Sequence, residues 1–201
     1  MAYQDFTLEK VVYDFSLELL TAQLFVDVQS LPLNPHLEFI VAKGLEIALP
    51  AGSEKVRNEL IVMPLLLALQ DRNPDLLRIH SGANLKVDRS KGLVGECDFI
   101  LSWSKIQAFV ETPIFAIVEA KKQDIEAGLG QCAAQMVGAQ LLNQRHGKII
   151  PAIFGCVTTG AEWRFLKLVE EQLTLDSQLY AIRNPPEILG VLQAIVDVYR
   201  R

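Results

Sequence analysis

The stretch GECDFILSWSKIQAFVETPIFAIVEAKKQ (residues 95–123) holds two apolar runs of strand character, each marked by ionisable side chains. Asp98 interrupts the first run, and Glu119 and Lys121 stand at the tip of the second. Charged groups are seldom buried without a partner or a cation, so this placement asks for a chemical reason. A strand alternates its side chains, which puts Glu119 and Lys121 on one face and Ala120 on the other. The 20 residues between Asp98 and Glu119 allow the two strands to pair antiparallel and bring the carboxylates together. Converging carboxylates repel unless a cation lies between them, and hard oxygen ligands suit Mg2+ or Mn2+. An ammonium beside such a cation can orient water and offset charge in a phosphoryl transition state.

Outward from this stretch, residues 53–70 (SEKVRNELIVMPLLLAL and its flank) predict a helix with Ser53 as N-cap, apolar Val56, Leu60, Met63 and Leu67 at helical spacing, and a kink at Pro64. Short strands are expected near 76–80, 83–88, 94–103 and 113–121, then a long helix over 123–145. KIIPAIFGCVT and EWRFLKLVE read as two further strands, and a closing helix starts at Pro185 or Pro186. Residues 6–30 carry both β-branched alternation and a helical stripe, and are read as part of an N-terminal extension or cap. The order of elements predicts an α/β sandwich around a mixed sheet.

The array D-x20-E-A-K, preceded by a helix carrying glutamate and followed by one with Q-x-x-x-Q, resembles the PD-(D/E)XK nuclease superfamily. It is most similar to the nuclease domains at the N-termini of type I restriction subunits and to their stand-alone bacterial relatives, with TTGAEWRFLKL also similar to a strand pair of that group. The resemblance runs from about residue 53 to 170. It implies a restriction endonuclease-like α/β/α sandwich over residues 51–201, with residues 1–50 as a cap packed on it. It also implies Asp98 and Glu119 as metal ligands, with the Ala120 carbonyl as a third, and Lys121 as the catalytic lysine. Glu54 fits the family's helix glutamate better than Glu59. The two lie about 140° apart around a helix, so only one can face the site. Gln131 and Gln135, one turn apart on a face shared with Asp124, could reach the substrate, as could Lys122. Cys97 stands where the family usually has proline. The implied activity is Mg2+- or Mn2+-dependent hydrolysis of DNA, by a homodimer or with a partner subunit. The alternative is a nuclease fold that no longer cleaves and serves as a binding module.

Composition bounds these expectations. A chain of 201 residues, 50% hydrophobic, can bury about 70% of its unfolded surface. A net charge of −5 counts against a strong nonspecific nucleic-acid binder and leaves any contact to local basic residues such as Lys121, Lys122, Arg145, His146 and Lys148. Cys97, Cys132 and Cys156 lack C-x-x-C spacing and read as buried reduced thiols, which favours a cytoplasmic location. His36, His80 and His146 are too scattered for a zinc site, and Trp103 and Trp163 read as packing residues. No apolar run reaches the roughly 20 residues of a membrane span, and no P-loop or G-x-S-x-G element is present.

Overall fold

A computed structural model describes residues 1–51, 53–75, 77–105 and 107–200. Among the described residues eight strands form one mixed sheet: β1 (Glu18–Ala22), β2 (Leu77–Asp88), β3 (Leu93–Trp103), β4 (Ile114–Ala120), β5 (Ile153–Thr158), β6 (Glu162–Val169), β7 (Gln172–Asp176) and β8 (Tyr180–Ala181). Their order across the sheet is β1-β7-β6-β5-β4-β3-β2, with β8 paired to β6. The pairs β4–β5 and β1–β7 are parallel and the others antiparallel. This is the α/β sandwich around a mixed sheet expected from the order of elements.

One face is covered by α2 (Pro35–Ala51), by α3 (Glu54–Arg57) with the segment that continues it, by α4 (Met63–Arg72) and by α6 (Pro185–Asp197), packed on Phe99, Phe115, Phe154 and Phe165. The other face carries a 3-10 turn at Tyr3–Asp5, α1 (Leu8–Asp14) and α5 (Glu126–Arg145), packed on Ile100, Ile117 and Val157. Residues 1–50 thus supply an edge strand and a helix to each face. Thr7 caps α1 by accepting from the Lys10 amide at 3.2 Å, and Ser16 at φ 53° turns the chain out of it toward β1.

Several expectations need correction. The strands expected at 76–80 and 83–88 are one continuous β2; residue 76 itself lies outside the described residues. Gly82, at φ 61°, lies between the paired Ser81 and Ala83 without interrupting the register, because glycine tolerates a left-handed conformation inside a ladder; the register shift lies between Lys86 and Asp88. The long helix begins at Glu126 rather than 123, so Asp124 lies before it and accepts from the Glu126 amide at 2.9 Å. Asp124 therefore shares no helix face with the glutamines. Helix α2 was not expected, because the turn signals that flank it hide it, and β1, β7 and β8 are hidden by their shortness.

Pro64 does not simply kink the 53–70 helix. Residues Asn58–Val62 form a π-helical turn, which Met63 closes by donating to the Asn58 carbonyl. Proline has no N–H for the carbonyl four residues back, that of Leu60, and a wider turn accommodates the loss. The Leu60 carbonyl faces α2, where a Cβ on Gly44 would lie 2.1 Å from its oxygen. Only glycine permits that approach, which seats the helix bearing Glu54 against α2.

Candidate active site

β4 and β5 run parallel and are joined by α5, and the site forms at their C-terminal ends, where open α/β sheets expose strand termini to ligands. The β3–β4 register ends with Phe99 opposite Val118, and the next residues along are Asp98 and Glu119. There the backbone ladder gives way to a side chain: Asp98 Oδ2 accepts from the Ala120 amide at 2.8 Å. Asp98 thus does a strand carbonyl's work while bringing its carboxyl to the end of β4.

Glu119 is 2% exposed. Its Oε1 accepts from Lys121 Nζ at 2.9 Å and Gln131 Nε2 at 2.5 Å, and its Oε2 accepts from Gln135 Nε2 at 3.0 Å. Gln131 Oε1 in turn accepts from Lys121 Nζ at 2.9 Å, closing a ring of three side chains. Burial, then the neighbouring Asp98 charge, push the Glu119 carboxyl up to about 7, against the opposing pull of Lys121 and Gln135. Burial alone would lower the Lys121 ammonium, but the Glu119, Glu54 and Asp98 carboxylates outweigh it and hold it above its ordinary value. Lys121 is therefore a fixed cation and a hydrogen-bond donor at neutral pH.

Glu54 is half-buried, and its carboxyl is raised by burial and by Asp98 while Lys121 draws it down, so it shares the field of the other three groups. Glu59 is exposed and reaches Lys55 at 4.0 Å. Of the two acids only Glu54 stands by the site. Gln135 is fully buried. The Ala120 side chain is buried in the sheet, and Lys122 is exposed at the rim.

Two residues absent from the sequence reading shape the site. A Cβ on Gly128 would lie 2.6 Å from Val157 Cγ1 and 2.9 Å from Lys121 Cγ, so the missing side chain is the channel through which Lys121 reaches Glu119. Arg57 donates through Nη1 to the carbonyls of Lys122 and Thr159, the latter at 2.9 Å. Neither leaves a pattern in sequence: one is a close approach, and the other is a pair of bonds to distant backbone.

The donor set suits a hard cation. Three carboxylates face one ammonium, leaving negative charge in excess when all are ionised. Asp98 Oδ1 has no donor among the described residues, and the buried Gln135 Oε1 has no partner either. Buried acceptors in excess of donors are costly until a cation or its water fills them. Among the described residues no three His, Cys, Asp or Glu side chains converge on one point. The groups there that could hold an ion are the Asp98 and Glu119 carboxylates.

The remaining candidates are structural. Cys97, Cys132 and Cys156 are free and buried, their thiols pushed up chiefly by that burial. His80 pairs with Ser102 at 3.2 Å and His146 with Thr112 at 3.1 Å. Trp163 is wholly buried, and Trp103 packs edge-on to Phe115. Among the described residues no helix is long and apolar enough to cross a membrane.

No family model matches the chain, and no curated protein matches it. Among solved structures it is similar to a chain of the cryo-EM structure of the DrdV–DNA complex, at 16% identity and a TM-score of 0.42. The match covers 80% of this chain and 13% of that one, so the protein spans a small part of that chain's length.

Proposed function

We propose that this protein is a metal-dependent nuclease of PD-(D/E)XK type that hydrolyses phosphodiester bonds in DNA. The observation that carries the reading is the buried Glu119, set beside Asp98 and bound by Lys121, Gln131 and Gln135 at the end of a central strand. A buried acid with a raised pKa, a neighbouring acid and a fixed ammonium is a costly arrangement for a fold alone. Its residue types and order are those of the D-x20-E-A-K array, and DNA as substrate follows from that resemblance.

Mg2+ or Mn2+ bound at Asp98 and Glu119 would supply Lewis-acid polarisation of the phosphate and a water of lowered pKa. The protein's own part is positioning. Lys121, held between Glu119 and Gln131, presents an N–H to the attacking water and positive charge to the phosphoryl oxygens. Because its ammonium is held above the ordinary value, it acts as a donor and not as the base. Glu54 stands where it can take up a proton at the rim of the site, and Gln135 steadies the second oxygen of Glu119. Residues 51–201 would form the nuclease unit with residues 1–50 as its cap, and cutting both strands of a duplex calls for a homodimer or a partner subunit.

The test is cleavage of supercoiled and linear duplex DNA and of single strands in Mg2+ or Mn2+. Nicking by the wild type and none by a folded Lys121→Ala is the expected result. Undiminished cleavage by Lys121→Ala would overturn the mechanism. The rival reading, a binding module on the same fold, draws on the saturation of Glu119 Oε1 by two donors, which a retired site would also show. It predicts no gain in thermal stability with Mn2+, whereas a working site gains stability and Asp98→Ala loses it.

A further inference from the structure

We propose that Arg57 is a positioning residue that clamps the helical turn bearing Glu54 to the chain just beyond Lys121, and so sets how these side chains face Asp98; the proposal rests on the metal-dependent reading of the site.

Arg57 Nη1 donates to two carbonyls from different parts of the sheet: that of Lys122, where the chain leaves β4, and that of Thr159, in the β5–β6 turn. The same two segments are joined by the Lys121 amide, which donates to the Thr158 carbonyl at 2.7 Å. The turn is built to meet the arginine. Thr158 Oγ1 accepts from the Gly160 amide at 2.9 Å, Gly160 adopts φ 79°, and a Cβ there would lie 3.4 Å from Arg57 Cβ. Glu54 precedes Arg57 by three residues, one helical turn, so the two side chains leave the helix on neighbouring lines. Among the described residues, the side-chain hydrogen bonds from α3 to the chain beyond β4 and to the β5–β6 turn are those of Arg57. Packing seats the helix against α2, and this guanidinium adds the hydrogen-bonded tie between the turn bearing Glu54 and the chain beyond Lys121.

Both bonds come from one terminal nitrogen, while Nε is buried without a partner. A lysine of similar reach can therefore supply both donors, and a methionine of similar bulk can supply neither. The carbonyl of Lys122 lies at the exposed rim, where water can replace the arginine, so its loss should disturb geometry more than folding.

The experiment uses the full chain with 13C-labelled lysine and follows the Lys121 Cε resonance without metal, then Mn2+ affinity by calorimetry. Arg57→Met is expected to displace the Lys121 signal and to weaken Mn2+ binding by about 10- to 100-fold, the usual effect of removing an outer-shell support. Arg57→Lys should restore both, and in a Glu54→Gln background the Mn2+ loss from Arg57→Met should largely vanish, since both changes then remove one interaction. A Lys121 signal unmoved by Arg57→Met, or losses that simply add, would overturn the clamp. Should Arg57→Met fail to fold, Arg57→Gln takes its place and must move the signal that Arg57→Lys preserves. A wild type that binds no Mn2+ while the mutant signal still moves would refute the metal-dependent reading and leave the clamp standing.

Discussion

Asn143 and Gln135 are carboxamides about two turns apart on α5, at 1% and 0% exposure, and both hold β4. Asn143 is complete: its Oδ1 accepts from the Ile114 amide at 2.9 Å and its Nδ2 donates to the Ile114 carbonyl at 2.7 Å. Gln135 is not. Its Nε2 serves Glu119 Oε2 at 3.0 Å and the Glu96 carbonyl at 3.4 Å, while its Oε1 is buried without a donor. At the start of β4 an amide closes off backbone groups and leaves nothing over. At its end, acceptors outnumber donors. Buried polar groups are normally satisfied, and an unpaired acceptor next to two carboxylates is a place where water or an ion can bind.

The comparison can be broken most forcefully at Asn143. Asn143→Leu orphans a buried amide and a buried carbonyl at once and should cost about 3 kcal/mol in denaturant unfolding. Gln135→Met, measured at pH 5.5 where Glu119 is protonated, should cost clearly less yet weaken the stabilisation by Mn2+. Equal stability losses would mean that the two amides do the same structural work.

Next comes Glu119→Gln. The Glu119 carboxyl sits at about 7 in the native protein against an ordinary 4.5, so between those values the native state holds a proton that the unfolded chain has lost. Stability from this group is therefore full below pH 4.5, falls as pH rises from there through 7, and is level above that, where both states are ionised. In metal-free thermal melts Glu119→Gln should flatten that decline and be more stable than wild type at pH 8, because Gln135 can turn its unpaired Oε1 to the new amide. It should also abolish the gain from Mn2+. A decline that persists in Glu119→Gln would place its origin elsewhere.

The smallest effect is expected from Gly128→Ala. The added methyl meets Val157 and the Lys121 stem, and overpacking of this kind costs about 1–3 kcal/mol. The displaced ammonium should lower the cleavage rate more than the melting temperature implies. Wild-type turnover in Gly128→Ala would show that Lys121 needs no such channel.

Much of this centre is legible in the chain, for definite reasons. Asp98, Glu119 and Lys121 stand out because strand alternation and apolar surroundings make their charges anomalous, and a helix rich in glutamine follows them. Glu54 is separable from Glu59 by helical geometry, even though a π-helical turn begins just before Glu59. Other features are hidden by their physics. Gln135 is legible as a residue that could reach the site but its burial is not, because an amide carries no sign of it, and α5 proves to be packed on most sides. Arg57 bonds to carbonyls 65 and 102 residues away, and a backbone carbonyl has no sequence signature. The continuity of β2 is obscured because Ser81 and Gly82 in mid-strand are also the residues a turn would use.

The most direct test of the central claim is anomalous scattering from a crystal soaked in Mn2+. Density between Asp98 and Glu119, with Lys121 Nζ beside it and Gln135 Oε1 facing a metal-bound water, is the predicted result. Carboxylates that keep their metal-free partners, with no anomalous peak between them, would contradict the account.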